Sequence, residues 1–138
     1  MKKFNILLVE DDDVDIMTVE RAFDKANIAN PLFIAKNGLE ALELLRDKKV
    51  ARPVVILLDL NMPKMNGLEF LEVVRNDASL KRIPVVVLTS SSDDTDVWKA
   101  YEKSVAGYMT KPVNLEQFVE KMAALGHYWS LCEITNGK

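Results

Sequence analysis

Three short apolar runs, each closed by polar or turn-forming positions, divide the chain: Asn5-Ile6-Leu7-Leu8-Val9, Pro53-Val54-Val55-Ile56-Leu57-Leu58 and Pro84-Val85-Val86-Val87-Leu88-Thr89. None alternates apolar and polar residues as a half-exposed strand does, so each predicts a strand buried on both faces. Leu32-Phe33-Ile34-Ala35 and Gly107-Tyr108-Met109-Thr110 are weaker candidates. Between the runs, apolar residues recur at helical spacing: Ile16, Val19, Phe23 and Ala26; then Leu39, Leu42 and Leu45; then Leu68, Leu71 and Val74. Leu115, Phe118, Val119 and Met122 mark a further helix after the last strand. Strands alternating with amphipathic helices predict an α/β fold, a doubly wound five-stranded parallel sheet, because parallel neighbours need crossover connections that cover both faces. A ligand site in such a sheet lies outside the carboxyl ends of the strands.

Composition narrows the function classes. The chain has 138 residues, 49% of them hydrophobic, enough for one core. Its net charge of -3 gives no electrostatic footprint for nucleic acid. No apolar run approaches the roughly 20 residues that span a bilayer, so a cytoplasmic protein without membrane attachment is expected. The single cysteine, Cys132, rules out an internal disulfide and a cysteine-based metal site; it and the lone His127 read as packing residues. No repeat or linker interrupts the chain, and no appended effector domain is expected.

The strand ends carry the chemistry. In order they read Val9-Glu10-Asp11-Asp12-Asp13, Leu58-Asp59-Leu60-Asn61-Met62-Pro63, Leu88-Thr89-Ser90-Ser91 and Tyr108-Met109-Thr110-Lys111-Pro112. Carboxylates, a hydroxyl and a lysine thus converge on one edge of the predicted sheet. Clustered carboxylates repel one another unless a cation neutralises them. A donor set of oxygens without His or Cys suits a hard ion such as Mg2+. Lys111 adds a mobile point charge for a phosphate oxygen or a carboxylate. Each residue has a plainer reading as well: Asp12 or Asp13 as a helix N-cap, Asp59 as the start of a turn, Thr89 as a residue with β propensity, and Lys111 as a solvated loop residue.

Taken together, these motifs resemble the response-regulator receiver domains of two-component signalling. The resemblance rests on Ile6-Leu7-Leu8-Val9-Glu10-Asp11-Asp12, Leu57-Leu58-Asp59-Leu60-Asn61-Met62-Pro63-Lys64-Met65-Asn66-Gly67, Val87-Leu88-Thr89-Ser90 and Tyr108-Met109-Thr110-Lys111-Pro112, and it spans residue 4 to about residue 125. It implies a flavodoxin-like sheet with strand order 2-1-3-4-5 and five helices. Glu10 and Asp11 are then the acidic pair that holds Mg2+, Asp59 the phosphoacceptor and further metal ligand, and Asn61 the donor of a main-chain carbonyl to the metal. Thr89 is the switch hydroxyl, Lys111 pairs with the phosphoryl group, and Tyr108 is the aromatic switch. Asn61 and Ser91 occupy positions that tune the access of water to the phosphoryl group. The implied function is a signalling phosphoacceptor rather than an enzyme in its own right, receiving its phosphoryl group from a histidine kinase or phosphotransfer protein. Its output would leave through a face around residues 93 to 126.

Among receivers, the chain looks most like small stand-alone regulators paired with phytochrome-type histidine kinases. That likeness lies in Asn61 to Glu69, in Leu80 to Ser91, and in the lengthened stretch between Leu45 and Pro53. Residues 1–126 read as the receiver domain and 127–138 as a C-terminal extension. From Leu125 onward, Tyr128, Trp129, Leu131 and Ile134 make the end of the chain more apolar than a solvated tail. Either a helix extends and folds back on its own domain, or Tyr128 and Trp129 mark a homodimer contact. A haloacid-dehalogenase-like phosphatase uses similar residue types, but there the nucleophilic Asp follows the first strand with a second Asp two residues on, whereas here the acidic pair comes first and position 61 is Asn. A phosphate sink without direct output, or a receiver that binds its partner unphosphorylated, would share this fold.

Overall fold

The computed structural model describes residues 4–25, 27, 29–52, 54–60, 62, 64–89, 105–110, 116, 117 and 120, with backbone alone at Thr89 and Thr110. Five strands and three helices are defined: β1 (Asn5–Val9), α1 (Asp13–Lys25), β2 (Leu32–Ala35), α2 (Gly38–Arg46), β3 (Val54–Asp59), α3 (Gly67–Asn76), β4 (Val85–Thr89) and β5 (Gly107–Thr110). All strand pairs are parallel, in the order β2-β1-β3-β4-β5. The expected sheet is thus present, both weaker strand candidates included. Of the remaining two expected helices, only helical positions 116, 117 and 120 are described.

The apolar runs are continuous because the sheet is covered on both faces. Successive side chains of a strand point to opposite sides, and the buried residues sort accordingly. Leu7, Val9, Ile56, Leu58, Val85 and Val87 pack with Ala41, Leu42 and Leu45 of α2 and Phe70, Leu71 and Val74 of α3. Ile6, Leu8, Val55, Leu57, Val86, Leu88 and Met109 pack with Ile16, Val19 and Phe23 of α1. Central β3 is buried along its whole length, so each of its apolar side chains, Val54 to Leu58, contributes about 1.5–3 kcal/mol of transfer free energy.

Three expected details shift. β3 runs through Asp59 and β4 begins at Val85; Ile56 N–H donates instead to the Pro84 carbonyl at 3.0 Å. Leu39 is 51% exposed, so α2 buries the stripe of Gly38, Ala41, Leu42 and Leu45 rather than Leu39, Leu42 and Leu45. Leu68 lies at the margin of the α3 core, which is filled by Phe70, Leu71 and Val74.

α2 ends in a Schellman turn. Lys49 N–H donates to the Leu44 carbonyl at 3.0 Å and Lys48 N–H to that of Leu45 at 3.3 Å, which places Lys48 at φ 56°, a left-handed position usually given to glycine. The side chain crowds the backbone there. Lys48→Gly is expected to stabilise the fold by about 0.5–1 kcal/mol in urea titration, after allowing for the greater freedom of glycine in the unfolded chain. A lower stability would contradict this account of the turn.

Candidate functional site

Strand register builds the site. Val9 of β1 pairs with Leu58 of β3 and Ala35 of β2, so the next residue, Glu10, emerges beside Asp59 at the carboxyl edge of the sheet. Glu10 N–H donates to the Ala35 carbonyl at 2.9 Å, which fixes the chain as it leaves β1. Asp59 pairs with Leu88, and Thr89 with Thr110, which carries the edge on to β4 and β5. The backbone of Thr89 therefore stands at this same edge, and Lys111 follows β5 directly in the chain. Lys111 and Asn61 lie outside the described residues, as do Ser91, Tyr128 and Trp129.

Glu10, Asp11 and Asp59 each offer a carboxylate oxygen within 4.8 Å of the others. Glu10 is 1% exposed and Asp59 3%, while Asp11 is exposed. Three carboxylates so close, two of them buried, fit a cation, and an all-oxygen set fits a hard one. The other carboxylates of the run have separate tasks. Asp12 Oδ1 accepts from Val14 N–H at 2.8 Å and Asp15 N–H at 3.3 Å, so Asp12 is the residue that caps α1. Glu10 Oε1 accepts from Asp12 N–H at 3.2 Å. Asp13 is paired with Lys36, just beyond β2, at 2.6 Å; the hydrogen bond to Asp13, and then its charge, raise the Lys36 ammonium above its usual pKa.

The loop leaving Asp59 is held from several sides. Leu60 and Met62 are buried, and Met65 packs on the same core. Gly67 N–H donates to the Leu60 carbonyl at 3.0 Å. Asn66 caps α3 through a reciprocal pair with Glu69, accepting from Glu69 N–H at 2.9 Å while Glu69 accepts from Asn66 N–H at 3.1 Å. Gly67 is required by proximity: a Cβ there would stand 2.5 Å from both the Asp59 carbonyl oxygen and Leu60 Cα. Gly38, the first residue of α2, is similarly close to the Met65 side chain. Sequence reasoning placed Met65, Asn66, Gly67 and Glu69 in motifs without giving them a role. The caps were legible as Asn37-x-x-Glu40 and Asn66-x-x-Glu69, but the two glycine contacts join distant segments and leave no local signal. Tyr108 is 39% exposed, between buried Gly107 and Met109.

Among the described residues, no helix is long and apolar enough to cross a membrane. Residues 6–123 match the response regulator receiver domain family. The chain is 39% identical over 128 residues to the response regulator Rcp1 of Synechocystis, covering 90% of this chain and 87% of that one. Among solved structures, the bacteriophytochrome response regulator RtBRR is 40% identical, with a TM-score of 0.80 over 99% of this chain and 85% of that chain. A Mn(2+)-bound form of Rcp1 is 37% identical, with a TM-score of 0.74 over 98% of this chain and 99% of that chain. Sheet order, acidic edge and these likenesses agree, and the chain belongs to the response regulator receiver domain family.

Proposed function

We propose that the chain is a single-domain response regulator that accepts a phosphoryl group on Asp59, and that this modification switches partner binding in two-component signal transduction. The observation that carries the reading is the meeting of Glu10, Asp11 and Asp59 within 4.8 Å at the carboxyl edge. Glu10, Asp11, Asp59 and the Asn61 main-chain carbonyl would hold Mg2+. Bound there, the ion supplies positive charge against the carboxylates and the phosphoryl oxygens. The Mn(2+)-bound form of Rcp1 supports a divalent ion in general, and the hard oxygen donors support Mg2+ in particular.

The Asp59 carboxylate oxygen attacks the phosphorus of a phosphohistidine. A P–O bond forms, the P–N bond breaks, and the imidazole leaves with the bonding pair, so Asp59 becomes an acyl phosphate. Burial of Asp59 shields that mixed anhydride from bulk water. Lys111 would pair with a phosphoryl oxygen, and Thr89 would donate its hydroxyl to another. Tyr108, exposed in this structure, would then turn inward, shifting a two-state equilibrium by the difference in stability that phosphorylation confers. The donor would be a histidine kinase, and the likeness to RtBRR favours a phytochrome-type kinase in the cytoplasm. Receiver domain 1–126 would carry these functions. Extension 127–138, with Tyr128 and Trp129, would form a homodimer contact on its composition alone.

The deciding experiment incubates the protein with Mg2+ and a small acyl-phosphate donor and measures its mass. Gain of one phosphoryl group, prevented by a chelator, is expected. An unchanged mass over a range of donor concentrations would overturn the reading.

A further inference from the structure

Only part of the acidic run belongs to the carboxylate cluster. Glu10 and Asp11 join it, and the Asp12 side chain is occupied by the amides that open α1. Asp13 would bring a further negative charge to the same edge, but Lys36 meets it at 2.6 Å. The position of Lys36 is fixed by the fold: it follows Ala35, whose carbonyl receives Glu10 N–H at 2.9 Å, and it precedes Asn37, which caps α2 through Glu40 N–H at 2.9 Å. Glu40, on the first turn of α2, also acts on the ammonium. The two partners are 54% and 76% exposed, too open for the pair to brace the loop strongly. An exposed pair still lowers the net charge of the edge on which it stands.

We propose that Lys36 is a charge-balancing residue of the phosphoacceptor site: by neutralising Asp13 it limits the avidity of the acidic edge for divalent ions and lowers the barrier to an incoming phosphoryl dianion. The proposal rests on the phosphoacceptor reading above and adds a residue outside the carboxylate cluster. Its signature is a pair of effects opposite in sign. Lys36→Ala leaves Asp13 uncompensated, so the edge becomes more negative. Asp13→Asn leaves Lys36 uncompensated, so the edge becomes less negative. Loss of a merely structural tether would move both variants the same way.

The test is calorimetric titration of Mg2+ and, separately, Mn2+ into the full chain. Lys36→Ala is expected to bind the ion about 3-fold more tightly and Asp13→Asn about 3-fold more weakly, the size of one unit charge acting through solvent. Lys36→Arg and the double variant should return to wild type, and raising the salt should shrink every difference. At saturating Mg2+, Lys36→Ala should need about 2–3-fold more acyl phosphate for half-maximal phosphorylation, at an unchanged limiting rate. If both single variants shift in the same direction, or neither shifts, the proposal is overturned while the site stands. A wild type that takes up no ion would instead remove the metal reading on which the proposal rests.

Discussion

Asp59→Asn is expected to gain no phosphoryl group under conditions that modify the wild type and, without divalent ions, to melt at a higher temperature. The first result follows from replacing the nucleophile: the amide nitrogen and weakly basic amide oxygen cannot form the acyl phosphate. The second follows from the geometry. Buried Asp59 stands within 4.8 Å of carboxylate oxygens from Glu10 and Asp11, and unit charges at such separations repel by about 3 kcal/mol at an effective dielectric constant near 20. Relaxation and solvent at exposed Asp11 reduce this, leaving about 1–2 kcal/mol relieved by the neutral side chain, or a few degrees in Tm for a chain of this size. Mg2+ should raise the Tm of the wild type more than that of the variant, because a ligand stabilises the state that binds it. Mass spectrometry and thermal melts with and without a chelator check both halves. A mass gain persisting in Asp59→Asn would move the acceptor elsewhere, and a lower Tm in metal-free buffer would show that hydrogen bonds to the carboxylate outweigh the repulsion.

The features legible in the sequence were those written in consecutive residues. Leu7, Leu8 and Val9 announce a strand buried on two faces because both faces of the sheet are covered, and helical spacing from Ile16 to Phe23 announces its cover. Glu10, Asp11 and Asp59 were found because an apolar strand that ends in a carboxylate breaks pattern abruptly, and the register then sets them side by side. Where the sequence misled, a second force competed with spacing. Leu39 has helical spacing with Leu42, yet the α2 face that reaches the sheet is set by Gly38 and Ala41, small residues that an apolar count passes over. The roles of Asp12 and Asp13 were interchangeable on paper. They separate only because Lys36, 23 residues away from Asp13, arrives at the edge through β2. The approach of Gly67 to Asp59 likewise depends on how a loop closes in space, which no neighbouring residue encodes.

That closure makes Gly67 a sensitive position beside the carboxylates. An alanine methyl at 67 would lie 2.5 Å from the Asp59 carbonyl oxygen and 2.5 Å from Leu60 Cα, well inside van der Waals contact. Neither atom can yield cheaply: Asp59 is the last residue of the central strand, paired with Leu88, and Leu60 both is buried and accepts from Gly67 N–H at 3.0 Å. Either α3 lifts away, breaking the packing of Phe70 and Leu71, or the end of β3 shifts and carries the Asp59 carboxylate out of reach of Glu10 and Asp11. Gly67→Ala is therefore expected to cost about 2–3 kcal/mol of stability, the upper part of the overpacking range. It should also slow phosphoryl acceptance by at least about 10-fold in the fraction that stays folded, since a displacement near 1 Å at a reacting group is that costly. Gly38→Ala provides the comparison. Its new methyl would meet Met65 Cγ at 2.8 Å and Met65 Cβ at 3.0 Å. Cγ can turn aside but Cβ moves only with the loop backbone, so a loss of about 1–2 kcal/mol is expected, with little change in rate because neither atom belongs to the end of β3. Urea titration and the phosphorylation time course of folded protein measure both. Equal rates for the two variants would show that the end of β3 tolerates displacement, and that Asp59 is held in place by its own side-chain contacts rather than by the close approach of α3.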